Sequence, residues 1–312
     1  MKVAILGRTR WLLSAARALS QSGHSIGFVA TSKAADYETV GPDDFRLLAD
    51  ESGCGFVRTA TLGSPDILAM LREAACDVGL SLNWNRILDR AEIEIFPHGI
   101  LNVHAGDLPR YRGNAVVNWA ILNGEDHIGL CLHRMEPNIV DAGEIIQRLT
   151  LSIDSGTYIG DVYGWLERAV PDLVVAGLRT LSSIPSRSGG GIFEGNAVGL
   201  RCYPRRPEDS RIDWSQDAET VHRLIRASSE PFAGAYSTYE GQQTVRIWRA
   251  ELVNSGEPFL AIPGQIMDVR SGYPVIACGR GCIRLSRVSV DCVPGESDSL
   301  GVFSRSVRNR LI

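Results

Sequence analysis

No apolar run in this 312-residue chain approaches the ~20 residues that span a bilayer. The N-terminal Met1-Lys-Val-Ala-Ile-Leu is short, and neither a longer apolar region nor a small-residue cleavage site follows it. It therefore reads as a first strand and not as a secretion signal, and a cytoplasmic protein without membrane attachment is expected. A basic excess is also missing, because 32 Lys and Arg stand against 36 Asp and Glu, for a formal charge of −4. Phosphate neutralisation supplies most nucleic-acid affinity, so this balance disfavours a nucleic-acid partner while leaving room for a local basic patch. The seven cysteines (Cys54, Cys76, Cys131, Cys202, Cys278, Cys282 and Cys292) are odd in number and scattered, the usage of reduced thiols. Cys278 and Cys282 have no second Cys or His pair beside them, whereas zinc takes about four ligands, so no metal is expected. The first turn, Gly7-Arg-Thr-Arg, lacks the G-x-G-x-x-G spacing of a dinucleotide fold, which argues against NAD chemistry.

What is present is ordinary globular composition, 44% hydrophobic and 22% charged, in a length that suits about two domains. Apolar runs at 2–6, 25–31, 55–58 and 77–82 read as strands, and segments near 11–22, 43–52 and 65–75 read as helices. Strand and helix alternate, which implies parallel strands with right-handed crossovers in a Rossmann-like, doubly wound α/β domain. A long helical pattern at 157–181 ends this region. Residues 185–203, rich in Ser and Gly, have linker composition. Beyond them come one helical stretch at 218–227 and five short strand-like segments between 235 and 288, a small β-rich domain. The polar stretch from about Pro294 reads as poorly ordered. The expected division is 1–184, a linker at 185–203, and 204–312.

The densest cluster of unusual residues runs from Gly99 to Gly113. Asn102 and His104 are two apart, so at the end of a strand both side chains share one face. Open α/β sheets bind ligands at that edge. Asp141, in Asp141-Ala-Gly-Glu, follows a strand-like 129–135. Each residue has a structural explanation of its own, as an Asx turn, a hydrogen-bonded histidine or a turn aspartate. Together they supply the parts of acyl transfer: an amide that stabilises an oxyanion and titratable groups that move a proton.

The segments Leu101-Asn-Val-His, Leu108-Pro-Arg-Tyr-Arg-Gly, Asn118-Trp-Ala-Ile-Leu-Asn-Gly-Glu, Leu132-His-Arg-Met and Asp141-Ala-Gly-Glu-Ile-Ile resemble the signature of the folate-dependent formyltransferases. The ordered match covers about residues 80–150. More weakly, Pro207-Glu-Asp-Ser-Arg-Ile-Asp-Trp, Ile225-Arg-Ala and Pro231-Phe-Ala-Gly-Ala resemble the OB-like C-terminal domain of the methionyl-tRNA and sugar enzymes, which the glycinamide ribonucleotide enzyme lacks. The resemblance implies N10-formyltetrahydrofolate as donor, a primary amine as acceptor, and Asn102, His104 and Asp141 as catalytic residues. By that reading Asn102 and protonated His104 stabilise the oxyanion of a tetrahedral intermediate, and Asp141 helps to move the amine proton. A second assignment makes His104 the general base. The resemblance further implies donor contacts from Trp84, Arg86, Ile87, Leu88, Ile139 and Val140, many through backbone. It assigns acceptor contacts to Asp107, Arg112 and Gly113, and it leaves a homodimer open. Two departures stand out. Ala105-Gly-Asp replaces the usual Ser-Leu after the histidine, adding the Asp107 carboxylate as an acceptor contact or a loop cap. Asp89 stands where relatives often have Pro.

For the acceptor, the Asn118-Trp and Asn123-Gly-Glu stretch is similar to enzymes that formylate UDP-4-amino-4-deoxy-L-arabinose, which favours a nucleotide-linked amino sugar. Methionyl-tRNA enzymes carry a Lys/Arg-rich loop after the second strand. Here the corresponding Lys33–Phe45 segment holds one basic and four acidic residues, which would repel phosphate. A small amine such as hydroxyornithine is a third acceptor, and an inactive folate-binding module is the non-enzymatic alternative.

Overall fold

The computed structural model describes residues 1–34, 38–183, 199–291, 293, 295–303 and 308–312. Two compact units are built from interleaved segments: 1–116, 127–152 and 163–203 in the first, and 117–126, 153–162 and 204–312 in the second.

The first unit is organised by strands β1 (Lys2–Gly7), β2 (Ser25–Thr31), β3 (Gly55–Arg58), β4 (Val78–Leu82) and β5 (Ile100–His104), with β6 (Tyr111–Gly113), β7 (His127–Arg134), β8 (Ile145–Ser152) and β9 (Leu200–Cys202) following. Its seven-stranded sheet has the order β3-β2-β1-β4-β5-β7-β8. The first five strands are parallel, as the alternation predicts; β7 and β8 extend the edge in antiparallel pairing. Strand order reverses between β1 and β4, the place where such sheets open a crevice at their carboxyl ends. Four residues of β1, Val3 to Leu6, are wholly buried, and Phe28, Leu62, Leu71, Leu88 and Ile100 join Ala4 and Leu6 in one cluster. Each of the Val, Leu, Ile and Phe side chains among them contributes about 1.5–3 kcal/mol by leaving water, which is why these strands read as continuous apolar runs.

The helices are set by local chemistry. In α1 (Arg10–Gln21), Leu12, Leu13, Ala15, Ala16 and Leu19 form the buried stripe, and the N-cap Thr9 hydroxyl accepts from Leu12 N–H. In α2 (Pro42–Ser52) the first turn is closed by Asp44, which accepts from Gly41 N–H at 2.7 Å. After α3 (Pro65–Ala74), the short α4 (Arg90–Ile93) carries a reciprocal cap. Asp89 accepts from Glu92 N–H at 3.2 Å, and Glu92 accepts from Asp89 N–H at 2.8 Å. Asp89 therefore starts this helix as its N-cap. Next come α5 (Val116–Leu122) and α6 (Ile159–Ser182).

In the second unit, β10 (Ala235–Tyr239), β11 (Gln243–Val253), β12 (Ile266–Arg270), β13 (Tyr273–Ala277) and β14 (Cys282–Val290) form an antiparallel sheet of order β10-β11-β14-β13-β12. Helix α7 (Ala218–Ser228), capped by Asp217, contributes Val221 and Ile225 to the core beneath this sheet.

Two expectations are corrected. The polar stretch after Pro294 contains helix α8 (Glu296–Phe303), whose Phe303 is fully buried, and Leu311 pairs with Tyr239. Its few apolar residues, Val302, Phe303 and Leu311, are enough to dock it on the second core. Residues 185–198 of the expected linker lie outside the described residues, as does Cys292. Leu200–Cys202, however, is strand β9, paired in parallel with β6 because the signature loop offers it an open edge. Among the described residues no helix is long and apolar enough to cross a membrane.

Candidate active site

Register places the site's residues. Ser81 of β4 pairs with Asn102 of β5, and Asn102 pairs with His133 of β7. Directly paired residues share a face, so Ser81, Asn102 and His133 form one polar row, with His104 two residues farther along the same face. Asp141 reaches this face from the β7–β8 loop with φ +48°, a left-handed conformation that Asp tolerates better than most residues.

Asp141 is the hub. Its Oδ1 accepts from Asn102 Nδ2 at 3.2 Å and lies 3.4 Å from His133 Nε2. Its Oδ2 accepts from Gly113 N–H at 2.9 Å and lies 3.4 Å from His104 Nδ1. Asn102 Nδ2 is also 3.3 Å from His133 Nε2, and the two imidazoles meet edge to face at 6.2 Å between centroids.

The carbonyl partners set the proton positions. His104 Nε2 is 2.8 Å from the Tyr111 carbonyl, which can only accept, so Nε2 carries a proton. His133 Nδ1 is 2.8 Å from the Arg134 carbonyl and is protonated for the same reason. In neutral form His104 thus turns a lone pair, on Nδ1, towards Asp141. Burial lowers the His104 pKa below 6.5, only partly opposed by the Asp141 charge. Burial pushes the Asp141 carboxyl up, but His104, His133 and the Gly113 N–H outweigh it and hold the group well below the usual carboxylate range. At neutral pH the pair is a neutral imidazole beside a carboxylate. Gly106 has a steric role here: a Cβ would sit 2.5 Å from His104 Nε2 and 2.7 Å from the Tyr111 oxygen, so only glycine lets that bond form.

The three residues expected to be catalytic are therefore brought together. His133 joins them, although only its place in the Leu132-His-Arg-Met segment singled it out in the sequence. Among the residues expected at the donor, Ile87 and Ile139 are exposed on two loops that are tied by Asn138 N–H to the Leu88 carbonyl at 3.0 Å. Arg86 is exposed, Val140 is half-buried, and the half-buried Trp84 keeps its indole N–H buried without a hydrogen-bond partner. The Leu88 side chain is 2% exposed in the core, so only its backbone can face a ligand. Among the residues expected at the acceptor, Arg112 keeps Nε buried without a partner, and Gly113 already gives its N–H to Asp141. Asp107 is not a free carboxylate, because Arg148 donates to it at 2.7 Å and His127 lies 3.4 Å away. Among the described residues no group of three or more His, Cys, Asp or Glu is placed to hold a metal.

The profile of the Formyl transferase family matches residues 1–175, and that of the Formyl transferase C-terminal domain matches residues 205–293. The chain belongs to the folate-dependent formyltransferase family. A methionyl-tRNA formyltransferase of Geobacter metallireducens is 28% identical over 254 residues, 80% of this chain and 77% of that protein. The fold is shared with an N-formyltransferase from Helicobacter canadensis solved with folinic acid and dTDP-3-aminofucose: TM-score 0.61, 17% identity, 92% of this chain and 99% of that one. It is shared also with HypX from Aquifex aeolicus in complex with tetrahydrofolic acid: TM-score 0.58, 18% identity, 98% of this chain. The chain spans less than half of the HypX chain, 48%.

Proposed function

We propose that this formyltransferase acts on the primary amine of a nucleotide-linked amino sugar, with N10-formyltetrahydrofolate as donor and the 1–116, 127–152 and 163–203 unit carrying the chemistry. The observation that carries the chemical reading is the convergence of Asn102, His104 and His133 on the Asp141 carboxylate. The donor loops fit a flat heteroaromatic group: Ile87 and Ile139 expose apolar surface, and Trp84 has an unpaired N–H. When bound, the donor supplies the formyl carbon.

The residues of the chain divide the remaining work. Asn102 is the N–H donor for negative charge that develops on the formyl oxygen, and to serve it must exchange one of its two present partners. His104 cannot serve the same oxygen through Nε2 without releasing Tyr111, and its lowered pKa leaves it neutral. These facts favour the second of the two assignments, in which Nδ1 of His104 takes the proton lost by the amine. The resulting imidazolium then faces Asp141, which turns a lone-pair contact into an ion pair. The pair holds that proton and returns it as the leaving group departs.

The amino-sugar acceptor is favoured over tRNA by the loop after β2. Asp44 is consumed in capping α2, and burial pushes the Glu38 carboxyl up, only partly opposed by the Arg10 N–H and the charges of Arg10 and Arg8. Lys33 is the one basic residue in the described part of this loop, a weak grip for phosphate-rich RNA. The test is incubation with N10-formyltetrahydrofolate and a panel of UDP-, GDP- and dTDP-linked 3-amino and 4-amino sugars, with charged initiator tRNA in parallel. A formyl mass increment on a nucleotide sugar is expected. Formylation of the tRNA alone would overturn the acceptor assignment.

A further inference from the structure

The row that carries His104 continues across the sheet. His104 of β5 pairs with Cys131 of β7, and Cys131 pairs with Arg148 of β8. Arg148 therefore stands on the His104 face, two strands away. Its guanidinium donates from Nη1 to Asp107 Oδ1 at 2.7 Å and from Nη2 to the Leu108 carbonyl. The other Asp107 oxygen lies 3.4 Å from His127 Nε2. Asp107 in turn accepts from Tyr111 N–H through its backbone carbonyl at 3.0 Å, and the Tyr111 carbonyl accepts from His104 Nε2 at 2.8 Å. The loop lies so close on β7 that a Cβ at Gly129 would be 2.5 Å from Asp107 Cα. One continuous chain of bonds thus runs from Arg148 through Asp107 and Tyr111 to the imidazole.

We propose that the Arg148–Asp107 pair is a positioning clamp, which keeps the Tyr111 carbonyl on His104 Nε2 and so directs the Nδ1 lone pair at Asp141. The proposal rests on the reading of His104 as proton acceptor, and neither clamp residue touches a reacting atom. The pair is part-exposed, with side-chain exposures of 39% and 26%, so its contribution to stability is small. Its value lies in geometry. A planar fork that holds one carboxylate and one carbonyl fixes both the position and the orientation of the loop, which a lysine point charge cannot do. If the Tyr111 carbonyl drifts away, neutral His104 is free to move its proton to Nδ1, and the acceptor lone pair facing Asp141 is lost.

The experiment compares the full-length wild-type protein with Arg148→Ala, Arg148→Lys and Asp107→Asn. It uses 15N NMR of the imidazoles at neutral pH, with His104 assigned from a His104→Asn sample. Formyl transfer to whichever nucleotide sugar accepts in the panel is measured alongside. In the wild type His104 is expected as a single Nε2–H tautomer. In Arg148→Ala a tautomer mixture is expected, with kcat down about tenfold, KM changed by less than about twofold, and partial recovery in Arg148→Lys. An unchanged Nε2–H tautomer in Arg148→Ala overturns the clamp, whatever the turnover. A tautomer mixture with wild-type turnover leaves the clamp standing and overturns instead the catalytic reading of His104. If Arg148→Ala does not fold, Asp107→Asn, which preserves volume but removes the charge and one acceptor oxygen, is read by the same two outcomes.

Discussion

Replacing Asp141 by asparagine is expected to lower kcat/KM for formyl transfer by about 10³-fold. The substitution is nearly isosteric, and asparagine tolerates the left-handed backbone at φ +48°, so the loop can survive it. What changes is charge and hydrogen-bond polarity. The carboxylate now receives donors from both Asn102 and the Gly113 backbone. An amide offers only one acceptor atom, so one of these donors would meet an NH2 group. An imidazolium on His104 would also lose its counter-ion, which raises the barrier to the proton transfer proposed for this site. Steady-state formyl transfer, with a thermal melt to verify folding, checks this. A loss smaller than about tenfold in a folded variant would remove Asp141 from the mechanism.

Asn102→Ala is expected to cost about 10²-fold, mainly in kcat. Asn102 is the one neutral amide among the site's paired side chains. Its Nδ2 bridges Asp141 at 3.2 Å and His133 at 3.3 Å. Truncation removes the N–H donor proposed for the formyl oxygen and also takes a partner from each of these buried groups, so some loss of stability accompanies the loss of rate. A variant that keeps kcat but binds donor or acceptor more weakly would make Asn102 a binding group and not a stabiliser of developing charge.

How much of this was legible in the sequence depended on whether the signal was local. Strands β2 and β3 match their expected bounds because buried parallel strands are uninterrupted apolar runs between turn residues. Asn102 and His104 could be placed on one face because two-residue spacing has only one meaning in a strand. Strand β8 was passed over: its Ile145–Ser152 run alternates, with only Ile146 buried among seven exposed or half-buried neighbours, as at a sheet edge. His133 was missed for a different reason. Its neighbour Asn102 is 31 residues away, and the antiparallel register that joins them is a property of the folded sheet and not of either segment. The partner of Asp107 was hidden in the same way, since Arg148 lies 41 residues farther on. Helix α8 was obscured by polar composition, although Phe303 and Val302 suffice to anchor it.

The account turns on a neutral His104 beside an ionised Asp141, and the pH dependence of kcat/KM for formyl transfer tests that pairing most directly. Burial lowers the His104 pKa from its ordinary 6.5, while Asp141 stays ionised far into acid. With the neutral imidazole as the proposed proton acceptor, activity should remain level from neutral pH down past 6.5. It should fall only when more acidic conditions protonate Nδ1. That acid limb should be displaced or abolished in Asp141→Asn, where the charge facing Nδ1 is gone. Activity that instead rises on acidification through this region, and is lost by neutral pH, would mean that the protonated imidazole is the working form and would contradict the account.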